Sequence, residues 1–273
     1  MKTKSLSLLV IYTWLFLFSL LPLILIIIAS LLSKDATSLI NLPVTLNNYI
    51  ALFSPAFLTV FVRSLLIAII TTLGCLILAY PFSYFMVKSK HQSLLLLLII
   101  IPFWTSSLVR TYALIALFKL HGVLNTMLLF CHIIAHPIPW LYSNFAVISG
   151  LMYTLFPFMV LPIFTNMERF DFRLIEAAED LGANKRACFY RIFLPNTIDG
   201  IVSGSLLVFL PAMTLFYIPN ILGGARSILL GNMIQNQFIV LENWPQGAAT
   251  SVCLTSILIL LLFIFRKIKG PML

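Results

Sequence analysis

Six apolar stretches, each long enough to cross a bilayer, constrain this chain more than any motif it carries. A hydrocarbon core about 30 Å thick needs about 20 helical residues to span it. From Ser5 to Ser33 there is no charged residue at all. That run is too long for the apolar core of a signal peptide, and no convincing small-residue cleavage site follows the MKTK start, so it reads as an uncleaved first span. Further runs cover Phe57 to Val87, Leu94 to Leu120, Leu141 to Thr165, Gly200 to Leu222 and Ala248 to Phe265. With 61% hydrophobic residues against 9% charged, the expected fold class is an all-α integral membrane protein with six transmembrane helices, forming one domain over residues 1–273.

The net charge of +9 would suit a nucleic-acid partner if it were gathered on one soluble face, but its distribution excludes that class. Twelve of the 17 basic residues fall in segments on one side of the six-span map: Lys2, Lys4, Lys88, Lys90, Arg169, Arg173, Lys185, Arg186, Arg191, Arg266, Lys267 and Lys269. Basic residues stay on the cytoplasmic side of membrane proteins, which puts both termini, the KSKHQ turn (Lys88–Gln92) and the loop 166–198 in the cytoplasm. The polar stretch from Lys34 to about Ala56, including Thr37, is then external, as are His121–Trp140 and the segment around Gly224.

Prolines interrupt the spans. Pro81 lies in the second, Pro102 in the third, Pro157 and Pro162 in the fourth, and Pro211 and Pro219 in the fifth. Each frees a carbonyl that lipid cannot satisfy, so spans three to five are expected to surround a pathway, the alternative being simple packing kinks. Arg110 would lie about 24 Å along a continuous third helix counted from Leu94. It reads as a gate or substrate-path residue, or as an arginine that snorkels to headgroups or bonds a carbonyl freed near Pro102.

Chemistry is otherwise sparse. There is no phosphate-binding GxxxxGK[ST] sequence. Cys75, Cys131, Cys188 and Cys253 lack metal-ligand spacing, and His121, His132 and His136 form no tight ligand set, so neither metal nor cofactor is expected on this chain. No catalytic constellation stands out, which argues against an enzyme. Proton-coupled carriers place carboxylates or histidines inside the membrane, and none is seen at a span centre. A secondary transporter and a membrane scaffold remain the alternatives from other classes.

The most charged interval is Glu176–Pro195, EAAEDLGANKRACFYRIFLP. Asp171 is placed to cap a helix beginning at Phe172, and Gly182 to end it in a left-handed turn. Asn184 caps a second helix, which Pro195 is expected to end. On the first helix Phe172, Ile175 and Leu181 are expected on one side, with Glu176, Glu179 and Asp180 on another.

Glu176, Ala177, Ala178, Gly182, Ile192, Leu194 and Pro195, at this spacing, resemble the EAA signature of ATP-binding-cassette (ABC) importer permeases. The resemblance implies a binding-protein-dependent permease of the type I importer fold, in which these residues form coupling helices seated on the ATP-binding subunit. One departure is Asp199 before Gly200, where the family often has proline; an N-cap role for it is expected at the start of the fifth span. PFWTSSLVRTYAL (102–114), LPAMTLFYIP (210–219), LLGNMIQNQF (229–238) and NWPQGAATS (243–251) are similar to stretches of spermidine/putrescine importer permeases of the B type. That similarity implies a bacterial inner-membrane location and a polyamine substrate. It also implies three partners: a related second permease, a dimer of ATP-binding subunits that hydrolyses ATP with Mg, and an extracytoplasmic polyamine-binding protein. Trp104, Tyr112, Phe216, Tyr217 and Trp244 offer aromatic faces to a cation, Glu242 a carboxylate, and Arg110 completes the substrate-path set; interfacial anchoring is the alternative for the aromatic residues.

Overall fold

The computed structural model describes residues 11–34, 42–224 and 227–268. The charges at Lys2, Lys4 and Lys269, the first residues of the Ser5 run, and Thr37 lie outside them. The described chain is helical almost throughout: α1 (Ile11–Ser30), α2 (Asn47–Ala51), α3 (Pro55–Lys88), α4 (Gln92–Ile100), α5 (Ser107–Phe118), α6 (Val123–Phe130), α7 (Asn144–Glu168), α8 (Arg173–Asp180), α9 (Lys185–Thr214), α10 (Leu230–Ile239) and α11 (Trp244–Ile268). Six segments among the described residues are long and apolar enough to cross a membrane: α1, α3, Ser107–Phe130 (α5 and α6 with the turn between them), α7, α9 and Trp244–Phe263 of α11.

The third span differs from the sequence expectation. Leu94–Leu120 is not one helix. A 3₁₀ turn, Ile101–Trp104, follows α4, and the chain then extends at Thr105 (ψ 148°) before α5 begins at Ser107. Pro102 has no N–H to give to a preceding carbonyl, and the strand-like Thr105 completes the break. The rise counted from Leu94 therefore does not locate Arg110, which sits in the first turn of α5. Other prolines are absorbed: α3 continues through Pro81, and α7 through Pro157 and Pro162. The chain does open after Pro211, where Leu215 is extended, and Pro219–Gly223 forms a wide π turn.

The chain forms two compact units, residues 1–61 with 231–273 and residues 62–230. In the first, α1 packs along α11. Asn48 donates its amide to the Ser30 and Leu32 carbonyls at 3.0 and 2.8 Å, satisfying backbone acceptors left open at the end of α1. Lys34 Nζ donates to the Leu241 carbonyl at 2.6 Å.

In the second unit α7 and α9 lie along one another, with much of α7 buried from Ala146 to Met167. Gly200 makes their approach possible: a Cβ there would meet the Pro162 carbonyl oxygen at 2.9 Å and Ile163 Cα at 3.0 Å, both backbone atoms. α3 lies against the same two helices. Its Ser83 hydroxyl donates to the Val160 carbonyl at 3.4 Å, and its Tyr80 hydroxyl shares a 2.9 Å hydrogen bond with Thr197.

Candidate functional site

The loop between α7 and α9 is built almost as local sequence rules require, apart from the start of α8 and three further corrections. Asp171 Oδ1 accepts the Arg173 N–H at 3.1 Å, but α8 begins at Arg173, so the N-cap position is Phe172, whose side chain makes no capping hydrogen bond, and Asp171 stands one residue before it. The Arg173 guanidinium also donates to both Asp171 oxygens, and these hydrogen bonds, with that backbone N–H, hold the exposed Asp171 carboxyl below the usual carboxylate range. At the other end Gly182 is left-handed (φ 86°). The Gly182 N–H reaches the Glu179 carbonyl at 2.9 Å and the Ala183 N–H the Ala178 carbonyl at 2.9 Å, the paired closing bonds of a Schellman turn. Asn184 then caps α9 by accepting the Ala187 N–H at 2.8 Å.

The first correction concerns Pro195, which does not end the second helix. α9 runs unbroken from Lys185 to Thr214, past a π turn at Phe189–Phe193 in which the Leu194 N–H bonds back to the Phe189 carbonyl. One residue of slack just ahead of the ring lets the helix pass a proline that can neither donate nor tolerate a close preceding carbonyl. Asp199 is the second: it lies inside α9 and is not an N-cap.

The third concerns the faces of α8. Phe172, Ile175, Glu176 and Glu179 line one side of a cavity of about 550 Å³, opposite Tyr84, Lys88, Lys185, Cys188, Phe189 and Phe193. Leu181 is on the other side and is 90% exposed, next to exposed Leu174 and Ala177 at helical spacing. The acidic pair therefore borders this open cavity while remaining exposed, and a short apolar strip lies on the opposite side.

An aromatic cluster ties this loop to α3. Phe193 is 1% exposed, and the rings of Tyr84, Phe170, Phe172, Phe189 and Tyr80 surround it with centroids 5.2 to 6.4 Å away. Lys88 at the end of α3 lies 4.6 Å from the Tyr84 ring and 5.7 Å from that of Phe172. Of the seven signature residues, Glu176, Ala177, Gly182 and Pro195 are exposed, and Ala178, Ile192 and Leu194 half-buried. The signature did not point to Phe193. Its signal was there as aromatic residues at i and i+4, Phe189 and Phe193.

The substrate-path candidates divide between the two units. Glu242 (φ 48°) and Trp244 belong to the unit of α1 and α11, where Trp244 meets Phe238 edge-on at 5.8 Å. In the other unit the Ser107 hydroxyl donates to the Tyr217 hydroxyl at 2.8 Å, tying the start of α5 to the turn after α9. Phe216 stands beside Tyr217, while Tyr112 and the 80% exposed Trp104 present open faces. Arg110 is turned over aromatic rings, 4.8 Å from the Phe103 centroid and 5.9 Å from that of Tyr153. Ser107, Phe103 and Tyr153 were not singled out from the sequence. Among the described residues, no group of three or more His, Cys, Asp or Glu is placed to hold a metal ion.

The comparisons assign the family: residues 75–271 match the binding-protein-dependent transport system inner membrane component model, and the chain belongs to that family. It is therefore a multi-pass inner-membrane protein and a component of a transport system. It is 43% identical to the spermidine/putrescine transport system permease protein PotB of Haemophilus influenzae, over 97% of this chain and 94% of that one. It is 46% identical to the protein of the same name in Escherichia coli K12, over 93% of each. Identity is 31% to the inner membrane ABC transporter permease protein YdcU of Escherichia coli K12, over 86% of this chain and 79% of that one. Among solved structures, a chain of a bacterial ABC transporter that imports the acidic polysaccharide alginate superposes with a TM-score of 0.81 at 14% identity, covering 99% of this chain and 96% of that one. The same score is reached with an alginate transporter solved in complex with an alginate pentasaccharide-bound periplasmic protein, over 98% of this chain and 94% of that one. At that identity the likeness is one of fold.

Proposed function

We propose that this chain is one of two permease subunits of an ATP-driven importer of spermidine and putrescine. The observation that carries the substrate is the 43 to 46% identity, over 93 to 97% of the chain, to relatives named for spermidine/putrescine transport. The partners are a second, related permease, a dimer of ATP-binding subunits that hydrolyses ATP with Mg, and an extracytoplasmic polyamine-binding protein. The whole chain, 1–273, acts as a single transmembrane domain and carries no cofactor of its own. Both termini and the loop 166–198 face the cytoplasm, in keeping with the basic residues there.

The loop couples ATP hydrolysis to transport. Leu174, Ala177 and Leu181 give it an apolar strip that water does not favour and that a groove on another protein would cover. Gly182 sets the angle at which α8 leaves that groove, and Ile192, Leu194 and Pro195 carry the contact into α9. Glu176 lies beside Lys88 and Lys185 in the cavity behind α8, which keeps the helix's inner side charged. Substrate passes the aromatic faces of Trp104, Tyr112, Phe216, Tyr217 and Trp244, with Glu242 near the external mouth. Weak cation–π contacts let a polycation move on where strong ion pairs would trap it. Arg110 would repel such a substrate.

The test is uptake by cells that lack polyamine import, expressing this chain with its three partners. Labelled spermidine or putrescine should enter, and omission of the ATP-binding subunit should abolish entry. Transport of an uncharged solute with no competition from polyamines would assign an importer of another small solute. Uptake that persists without the ATPase would assign a secondary carrier, and no uptake with the subunits still assembled a scaffold.

A further inference from the structure

Arg110 lines a cavity between helices of the second unit. The cavity, of about 380 Å³, lies between α3, α4 with its 3₁₀ turn, α5 and α7. Leu78, Ile99, Phe103, Met152 and Phe156 give it apolar walls. Arg110 Nε is shut off from solvent and donates to nothing, and Arg110 pairs with no carboxylate among the described residues. Its guanidinium lies over the faces of Phe103 and Tyr153.

Depth decides what can answer this charge. Met152 to Pro157 occupy the middle of α7, which has 25 residues and is therefore about 37 Å long. Tyr153 stands nine residues, about 14 Å, from the Asn144 end of α7, so with that helix centred on a core about 30 Å thick it is about 10 Å below the nearer core boundary. On that placement the nearer lipid phosphates lie more than about 10 Å away, beyond a side chain held over Phe103. A cationic substrate has the wrong sign. Intramembrane charges are tolerated when another carboxylate or a polar cavity meets them. An apolar cavity more than ten times the roughly 30 Å³ share of one water molecule calls for side chains rather than solvent.

We propose that this cavity receives an acidic side chain from a transmembrane helix of the second permease subunit, the carboxylate pairing with Arg110 while neighbouring apolar side chains fill the space against Phe103 and Tyr153. The inference rests on the two-permease reading above. The break at Thr105–Ser106 serves it directly, because a continuous helix from Gln92 to Phe118 would put Arg110 on a rod with α4 and leave no notch between them. Arginine suits the position, since its planar fork can hold a carboxylate with two hydrogen bonds while its faces stay on aromatic rings.

The test uses the complex purified through a tag on this chain, with the second permease quantified against it. Arg110→Glu should lower recovery of the second permease about tenfold or more, as loss of one half of a desolvated charge pair acts mainly on dissociation. Arg110→Lys should keep part of it. In the Arg110→Glu background, replacing the intramembrane Asp and Glu residues of the second permease with Arg, one at a time, should restore recovery at one position only. That rescue also proves the variant folds. Full recovery with Arg110→Glu overturns the pairing, as does loss that no charge reversal rescues. Bound phospholipid, assayed as phosphate, falling with the Arg110→Glu loss and without rescue would assign the site to a lipid headgroup. Should the wild-type chain recover no second permease, the two-permease reading fails first, and that result is distinct from equal assembly of wild type and variant.

Discussion

Gly182 allows the coupling role of the loop to be tested through backbone conformation alone. Its φ of 86° belongs to the left-handed region, and a Cβ built on it would meet nothing within 4 Å. No clash therefore confuses the experiment. An L-residue held there costs about 1 to 2 kcal/mol, and asparagine less, because its short polar side chain bonds locally. Alanine should shift the local equilibrium away from the closed Schellman turn roughly five- to thirtyfold, and valine further, since its branched Cβ resists the region most. The two bonds lost first are those from Gly182 to Glu179 and from Ala183 to Ala178, so α8 frays at the end that bears Leu181. In the purified complex, ATP hydrolysis stimulated by the loaded binding protein should fall in the order Gly, Asn, Ala, Val, with thermal unfolding of the chain nearly constant. Copurification of the ATP-binding subunit should follow the same order. A ranking by side-chain size, with asparagine worse than alanine, would refute the conformational argument, and wild-type behaviour of Gly182→Val would refute the coupling role.

Other perturbations read other parts of the chain. Gly200→Val should cost about 1 to 3 kcal/mol by pushing α9 off the backbone of α7 at Pro162 and Ile163, seen as a lower unfolding midpoint in detergent. Phe193→Ala should cost about 3 to 5 kcal/mol by emptying the centre of the aromatic cluster, and protease should then cut the loop 166–198 faster than any other segment. Trp104→Ala should leave stability unchanged, the ring being exposed, yet slow polyamine uptake by the loss of a cation–π face worth about 0.5 to 2 kcal/mol. A cysteine at Asn184 should resist an impermeant label in whole cells, while one at Gly224 reacts; labelling at 184 would reverse the proposed orientation.

The sequence rules succeeded where the determinants are local and failed where they are relational. Gly182 and Asn184 do what backbone freedom and side chain dictate within four residues, and the structure places each accordingly, whereas Asp171 misses the N-cap because α8 begins one residue later, at Arg173. Hydropathy gave the number of spans because crossing lipid is a property of a single segment, but it drew the third as one helix and ran the fifth from Gly200 to Leu222 where the helix is Lys185–Thr214. The break at Thr105 was less legible, because Pro102 alone permits either a kink or a stop, and Pro157 and Pro162 show that proline often does neither. The faces of α8 were misassigned by grouping Leu181 with Phe172. Nine residues is two and a half turns, so the two point in opposite directions. The cavity around Arg110 depends on α3, α4 and α7 meeting α5, contacts between residues up to 79 positions apart that no local pattern encodes.

The misreading of Pro195 changes the mechanical picture most. A second coupling helix that ended there would pass motion to the fifth span through a flexible joint. Instead α9 is one rod of 30 residues, about 45 Å long, from the charged loop to Thr214. Its π turn is a local loosening at Phe189–Phe193, and that same segment is clamped by the ring cluster on α3. Beyond the clamp, Gly200 holds α9 against α7 at backbone distance, and the Tyr80 hydroxyl holds Thr197. A push delivered at Lys185 therefore cannot be spent in the loop. It must either tilt α9 together with α7 and α3 or break the clamp at Phe193, and the first is the softer course because it leaves every buried contact in place. The far end of the rod is where the chain opens, at Leu215 and Phe216, just before the Tyr217 hydroxyl that Ser107 holds. Under the proposed coupling, tilt of α9 would be passed through the Tyr217–Ser107 hydrogen bond to the start of α5, beside Trp104 and Arg110. Tyr217→Phe, which removes that one hydrogen bond, should leave ATP hydrolysis coupled to the loop while lowering the uptake achieved per ATP. An unchanged ratio would mean that the motion leaves α9 by another route.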